Sequence, residues 1–175
     1  MTLTTSTTPS VCNGNADGTA TVTVTGGTSA SGNYSYEWSV SNQVNTNNTI
    51  VNVGSGNYTV TVTDAANCTG TGSFTVTQPT TLTASAVADN NVTCFGGNDG
   101  SATVSATGGP AGTPTYVWSQ NGIPVPGGTT ATINNLVADT FTVVVTVGSC
   151  QAFDTVILLQ PAEIITTVTS SNVSC

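Results

Sequence analysis

Five cysteines, eight carboxylates and a large stock of Ser and Thr hydroxyls carry the chemical potential of this 175-residue chain, which contains no Lys, no Arg and no His. A hydroxyl nucleophile needs a neighbouring base, and neither an imidazole nor an amine side chain exists to supply one. The same absence removes Schiff-base chemistry, imidazole proton shuttling and an arginine clamp on phosphate. Paired carboxylates could in principle hydrolyse a glycoside. The eight acids, Asp17, Glu37, Asp64, Asp89, Asp99, Asp139, Asp154 and Glu163, fall mostly at predicted turns or on polar faces and read as solubilising charges. No enzyme and no cofactor are expected. Asp17-Gly18 and Asp99-Gly100 are weak calcium candidates, because each Gly/Asn-rich loop holds one carboxylate. An Asp-Gly dipeptide is first of all a turn.

Charge excludes further classes. Only 5% of residues are charged and the net charge is −8, against roughly 25% charged in ordinary domains. Nucleic-acid binding, which draws on Lys and Arg to displace phosphate counterions, is not expected, nor is docking to anionic lipid. Side-chain salt bridges and Lys–Asn isopeptide crosslinks cannot form. No apolar run reaches 18 residues, so no membrane insertion is expected. The first twenty residues lack a basic start and an apolar core and do not read as a signal peptide. An export address would lie outside this chain.

The elements that position these groups repeat. Cys12-Asn13-Gly14-Asn15-Ala16-Asp17-Gly18 returns as Cys94-Phe95-Gly96-Gly97-Asn98-Asp99-Gly100. Gly26-Gly27 returns as Gly108-Gly109, Tyr36-Glu37-Trp38-Ser39 as Tyr116-Val117-Trp118-Ser119, Cys68 as Cys150 and Gln78-Pro79 as Gln160-Pro161. The expected organisation is residues 1–79, 80–161 and 162–175. The last stretch is the opening strand of a third repeat, ending on its first cysteine, or a tail strand exchanged with a neighbour. Within a copy the apolar residues alternate strictly, as in Ala20/Val22/Val24, Tyr58/Val60/Val62, Ala102/Val104/Ala106 and Phe141/Val143/Val145/Val147. Period-two alternation means strands with one buried face, and Thr suits the other face, where its hydroxyl is expected to stay wet. About seven short strands in some 80 residues predict an all-β chain: two tandem immunoglobulin-like β-sandwich repeats plus the first strand of a third. Tyr36 with Trp38, and Tyr116 with Trp118, are the expected core anchors.

Each copy holds two cysteines separated by 56 residues. Zinc sites need closer pairs and usually His. The simplest pairing is within a copy, Cys12–Cys68 and Cys94–Cys150, stapling loops at one end of each sandwich. Closing such a loop stabilises by about 4 kcal/mol in the chain-entropy model, and such bonds persist outside the cytosol. Reduced thiols in a cytosolic protein are the other reading. Cys175 is left over, for a following repeat or another chain.

The order Cys-x-Gly-x-x-Asp-Gly, alternating Thr/Val strand, Gly-Gly, Tyr-x-Trp-Ser, Gly-x-Tyr-Thr-Val-x-Val-x-Asp, Cys and Gln-Pro closely resembles the SprB repeat of giant cell-surface proteins in gliding and related Bacteroidota. The first copy carries Cys12, Gly14, Asp17, Gly18, Gly26, Gly27, Tyr36, Trp38, Gly56, Tyr58, Asp64, Cys68 and Pro79. The second departs from the pattern at Ala138-Asp139-Thr140-Phe141 and at Thr146, which stands where Asp64 does. The resemblance implies an extracellular tandem array exported by the type IX route, a mobile adhesin for gliding motility in some members.

Three surface features complete the expectations. Tyr34 is the aromatic expected to be exposed for ligand contact, such as stacking on a sugar. Asn-x-Ser/Thr sequons begin at Asn33, Asn47, Asn57, Asn67, Asn91 and Asn172. Asp154-Thr155-Val156 is similar to the O-glycan acceptor pattern of Bacteroidota, which marks Thr155 for glycosylation. The functional expectation is a non-catalytic extracellular structural or adhesive repeat of a cell-surface adhesin, stalk or filament. Its partners would be further copies of the repeat and surface glycans. The alternatives are a self-assembling fibre subunit joined through its C-terminal strand, and a carbohydrate-binding module.

Overall fold

The computed structural model describes residues 1–28, 33–40 and 47–169. Among these residues every regular element is a strand, and no helix is long and apolar enough to cross a membrane. The chain forms two compact units. One comprises Met1–Leu82, Gly108–Thr113 and Val147–Cys150; the other comprises Thr83–Thr107, Pro114–Thr146 and Gln151–Cys175.

In the first sequence copy β1 (Thr2–Thr8), β2 (Gly18–Thr25) and β4 (Thr49–Val53) form one sheet in the order β1-β2-β4. A second sheet, β3-β5-β6, comprises β3 (Ser35–Trp38), β5 (Gly56–Thr63) and β6 (Thr69–Val76). The second copy builds the same pair. One sheet is β11-β8-β7, from β7 (Thr80–Asn90), β8 (Gly100–Gly109) and β11 (Thr132–Leu136). The other is β10-β9-β12-β13, from β9 (Thr115–Gln120), the two-residue β10 (Ile123–Pro124), β12 (Thr140–Val147) and β13 (Cys150–Ile157). When the six strands common to both copies are lettered A, B, C, E, F and G after the immunoglobulin pattern, the sheets are A-B-E and C-F-G, with β10 added at the C edge of the second copy.

Alternation produces one core per copy. Ala20, Val22, Trp38, Ile50, Val53, Val60, Val62, Phe74 and Val76 are buried together in the first. Ala102, Val104, Trp118, Ile133, Leu136, Phe141, Val143, Val145, Val156 and Leu158 are buried together in the second. Trp38 and Trp118 are buried, and their indole N–H groups donate to the carbonyls of Asn47 (3.2 Å) and Thr130 (3.0 Å). Tyr36 and Tyr116, two residues earlier on the same strand faces, are half-buried against those cores. In the first copy Phe74 meets Trp38 edge-on, with ring centres 5.5 Å apart.

The Thr hydroxyls on the outer faces are largely exposed and also bond to one another. Many hydroxyls pair across strands: Thr8 with Thr19 (2.8 Å), Thr21 with Thr49 (3.0 Å), Thr83 with Thr107 (2.7 Å) and Thr103 with Thr132 (2.8 Å). Opposed Thr pairs of this kind stabilise a sheet by roughly 0.2–1 kcal/mol each. In a chain without cationic side chains they do the cross-strand work that ion pairs do elsewhere.

Candidate functional site: the cysteine-bearing loops

Each copy presents two cysteine segments. The first is the loop that follows the opening strand, residues 9–17 and 91–99. The second is the turn that precedes the closing strand, residues 64–68 and 148–150.

The first loop is closed by the same amide-to-carboxylate bond in both copies. Asp17 Oδ1 accepts from Val11 N at 2.9 Å, and Asp99 Oδ1 accepts from Thr93 N at 3.0 Å. Thr93 also donates its hydroxyl to Asp99 Oδ2. Asn15 donates to Asp17 Oδ2 at 3.3 Å. The Thr93 hydroxyl, followed by the Thr93 amide, holds the Asp99 carboxyl below the usual carboxylate range. The calcium candidates are therefore engaged by their own loops, and no group of three metal-ligating side chains occurs among the described residues.

The Asp-Gly glycines have a different role from the expected turn. Gly18 and Gly100 open β2 and β8 and are buried. A Cβ at Gly18 would lie 2.6 Å from Val76 Cγ1 and 2.8 Å from the Val53 carbonyl; at Gly100 it would lie 2.5 Å from Leu158 Cδ2 and 2.9 Å from the Leu136 carbonyl. These glycines serve close approach of a strand to its neighbours. The positive φ that turns each loop belongs to Gly14 (82°) and Gly96 (71°), four residues earlier. The N–H groups of Gly14 and Gly96 donate to Gln78 Oε1 and Gln160 Oε1, each at 2.8 Å. The Gln of Gln-Pro thus ties the first cysteine loop to the end of the closing strand.

The second segment sits at the opposite end. In the first copy Asp64 organises it, accepting from Cys68 N (2.8 Å), Ala66 N (2.9 Å), and both Thr28 N and Thr28 Oγ1 (3.0 Å each). The Thr28 amide, followed by the Cys68 amide, holds the Asp64 carboxyl below its ordinary value. Opening and closing strands run side by side in the same direction. Thr5 Oγ1 donates to Ser73 O and Thr7 Oγ1 to Thr75 O, both at 3.2 Å and both 68 residues apart. The second copy keeps this offset: Ala86 N donates to Asp154 Oδ2 and Leu159 N to Asn91 Oδ1.

This direction overturns the expected disulfides. Cys12 follows β1, beside the end of β6. Cys68 precedes the start of β6. An eight-residue strand separates them by about 23 Å, whereas a disulfide needs Cα atoms within roughly 7 Å. Cys94 and Cys150 are separated likewise by β13. Neither Cys12–Cys68 nor Cys94–Cys150 exists. Instead Cys12 is bonded to Cys150, with Cα atoms 5.7 Å apart, across 138 residues of sequence. Both belong to the first compact unit, to which the second copy's sequence contributes Gly108–Thr113 and Val147–Cys150. Cys68 and Cys94 are exposed thiols. Cys175 and Asn172 lie outside the described residues.

Tyr34 also departs from expectation. It packs against the first core, and its hydroxyl donates to Gly26 O at 3.1 Å, so its ring is not free to stand out from the surface. Thr155 is exposed on β13, its amide bonded to Asp154 Oδ1 at 2.8 Å. The sequon residues Asn47, Asn57, Asn67 and Asn91 are exposed, as is Asn33.

No curated protein matches the chain. Among solved structures it is similar to a structure titled "Structural basis for Dscam isoform specificity", at 16% identity and TM-score 0.38, over 73% of this chain and 38% of that one. It is also similar to an amphioxus IgVJ-C2 molecule, at 19% identity and TM-score 0.36, over 63% of this chain and 64% of that one. The chain thus spans about 38% of the length of the first of these relatives. The fold assignment rests on the strand order above. The family described as SprB repeat matches residues 4–43 and 87–123, each region running from the opening strand past the first cysteine and the Asp-Gly pair. Both copies of this chain are thus similar to the SprB repeat, a module of cell-surface proteins.

Proposed function

We propose that the chain is a non-catalytic, load-bearing segment of an extracellular surface array, serving as an adhesin shaft, stalk or filament. The observation that supports this most directly is the Cys12–Cys150 bond, which ties the two sequence copies to each other. A covalent bond of that kind persists in oxidising surroundings outside the cytosol and is rare within it. The surface is suited to that setting. With no Lys, Arg or His, almost no side chain changes charge between about pH 5 and 8. With no imidazole or amine side chain to activate it, a hydroxyl nucleophile is disfavoured, which argues against that catalytic role.

Antibody labelling of intact cells tests location directly. Amine-reactive surface probes are unsuitable for a chain without lysine. Labelling of intact cells at the level seen after permeabilisation is the expected result. Labelling only after permeabilisation would overturn the proposal. Loss of surface attachment or of gliding on in-frame deletion of these residues would distinguish an adhesive role from a passive spacer.

A further inference from the structure

The bond that exists predicts the bonds that are missing. Cys12 is the first cysteine of its copy and Cys150 is the second cysteine of the next. The remaining described cysteines are the complementary pair: Cys94 is a first cysteine and Cys68 a second one, and both are exposed thiols. Their surroundings are the same two half-sites. Around Cys12, a depression lined by Pro9, Val11, Gln78 and Pro79 is completed by Pro110 and Ala111, which come from the second copy's Gly-Gly turn. Around Cys94, a depression lined by Thr93, Phe95, Pro161 and Ile164 shares with it the equivalents of Val11 and Pro79, and no residue from a Gly-Gly segment lines it. Phe95 and Ile164 are exposed there, at 52% and 90%. Cys68 sits on the other half-site. Asp64 joins its turn to Thr28, just after Gly26-Gly27. These are the first copy's equivalents of the Cys150 turn and the Gly108-Gly109 turn.

We infer that Cys94 and Cys68 are docking cysteines for further copies of this repeat. Cys94 bonds the second cysteine of a following copy, whose residues after the Gly-Gly pair pack beside Thr93 and Pro161, and Cys68 bonds the first cysteine of a preceding copy. The array is then held by a continuous series of disulfides, each joining neighbouring copies and none internal to a copy. Such a heterologous, head-to-tail contact propagates without closing unless its rotation brings the ends together. Each bond forms by thiol–disulfide exchange. Two thiols give up two protons and two electrons to the disulfide of an oxidoreductase or of oxidised glutathione, which leaves as two thiols. The inference rests on the reading of the chain as part of an extracellular array.

The test uses the full chain carrying Cys175→Ser, so that only Cys68 and Cys94 remain as thiols. The protein is equilibrated in a glutathione redox buffer, run on a non-reducing gel and mapped by mass spectrometry after chymotrypsin, since trypsin has no site. The expected result is a ladder that collapses on reduction and contains a Cys68–Cys94 peptide pair. Cys68→Ser and Cys94→Ser should each stay monomeric alone, yet give dimers and nothing larger when mixed. Unchanged tryptophan fluorescence of both variants verifies that they are folded. Three outcomes would overturn the inference: no oligomer while both thiols still react with maleimide, dimers of either single variant with itself, or a Cys68–Cys94 bond within one molecule. Free Cys68 and Cys94 in a protein found at the cell surface would defeat the pairing and leave the surface location standing. Pairing in a protein confined inside the cell would do the reverse.

Discussion

At the scale of single residues, hydrogen bonds to carboxylates replace the ion pairs this chain cannot make. Asp64, Asp99, Asp139 and Asp154 are all held below the ordinary carboxylate value, and hydrogen bonds are the leading cause in each. For a group whose folded-state pKa is depressed, the stability it contributes is fully present above the unfolded value of about 3.9 and is lost as pH falls through the folded value. Resistance to urea should therefore be flat from about pH 5 to 8 and should fall only below pH 4, which denaturation at stepped pH will show. A midpoint that moved between pH 6 and 7 would contradict this, since no imidazole exists to titrate there. Asp64→Asn should lower the urea midpoint at pH 7 and weaken the acid-side fall. The presence of these carboxylates in loops is plain in the sequence. Their partners are not, because Thr28 lies 36 residues from Asp64 and only the fold brings the two turns together.

At the scale of elements, glycine and aromatic positions carry different loads. Gly100→Ala forces a Cβ against Leu158 and the Leu136 carbonyl, and such overpacking costs about 1–3 kcal/mol. Chemical denaturation should show Gly18→Ala and Gly100→Ala losing stability alike, while a neutral result would mean that the closing strand shifts to make room. Trp118→Ala empties the centre of the second core and should cost about 3–5 kcal/mol, read from the same experiment. Strand identity and facing were legible because alternation with period two leaves no other regular reading. Two details were not. β4 and β11 carry bulges with Asn52 and Asn135 at φ of 57° and 59°, and an Asn before the last apolar residue of a strand has no sequence mark that separates a bulge from a regular strand. The Thr–Thr pairs depend on register, which sets which hydroxyls oppose one another.

At the scale of the whole molecule, the Cys12–Cys150 bond makes the first compact unit depend on residues from both sequence copies. Cys12→Ser should reduce the stability of that unit by about 2–4 kcal/mol, seen as an earlier unfolding transition that reductant also produces in the unsubstituted chain. An unchanged transition would mean that the bond constrains nothing. The sequence alone determined the strand content, the sandwich class, the repetition and the two aromatic cores, because burial alternation and turn residues are local and each copy states them again. It also determined the classes of chemistry that the missing Lys, Arg and His exclude. Only the tertiary structure decided which cysteines meet. Equal spacing within each copy made Cys12–Cys68 the simplest pairing, but spacing does not say at which end of a sandwich a loop emerges. That depends on strand direction. Because the opening and closing strands run parallel, the loop after one and the turn before the other lie a full strand apart, so Cys12 cannot reach Cys68 and is bonded to Cys150 instead.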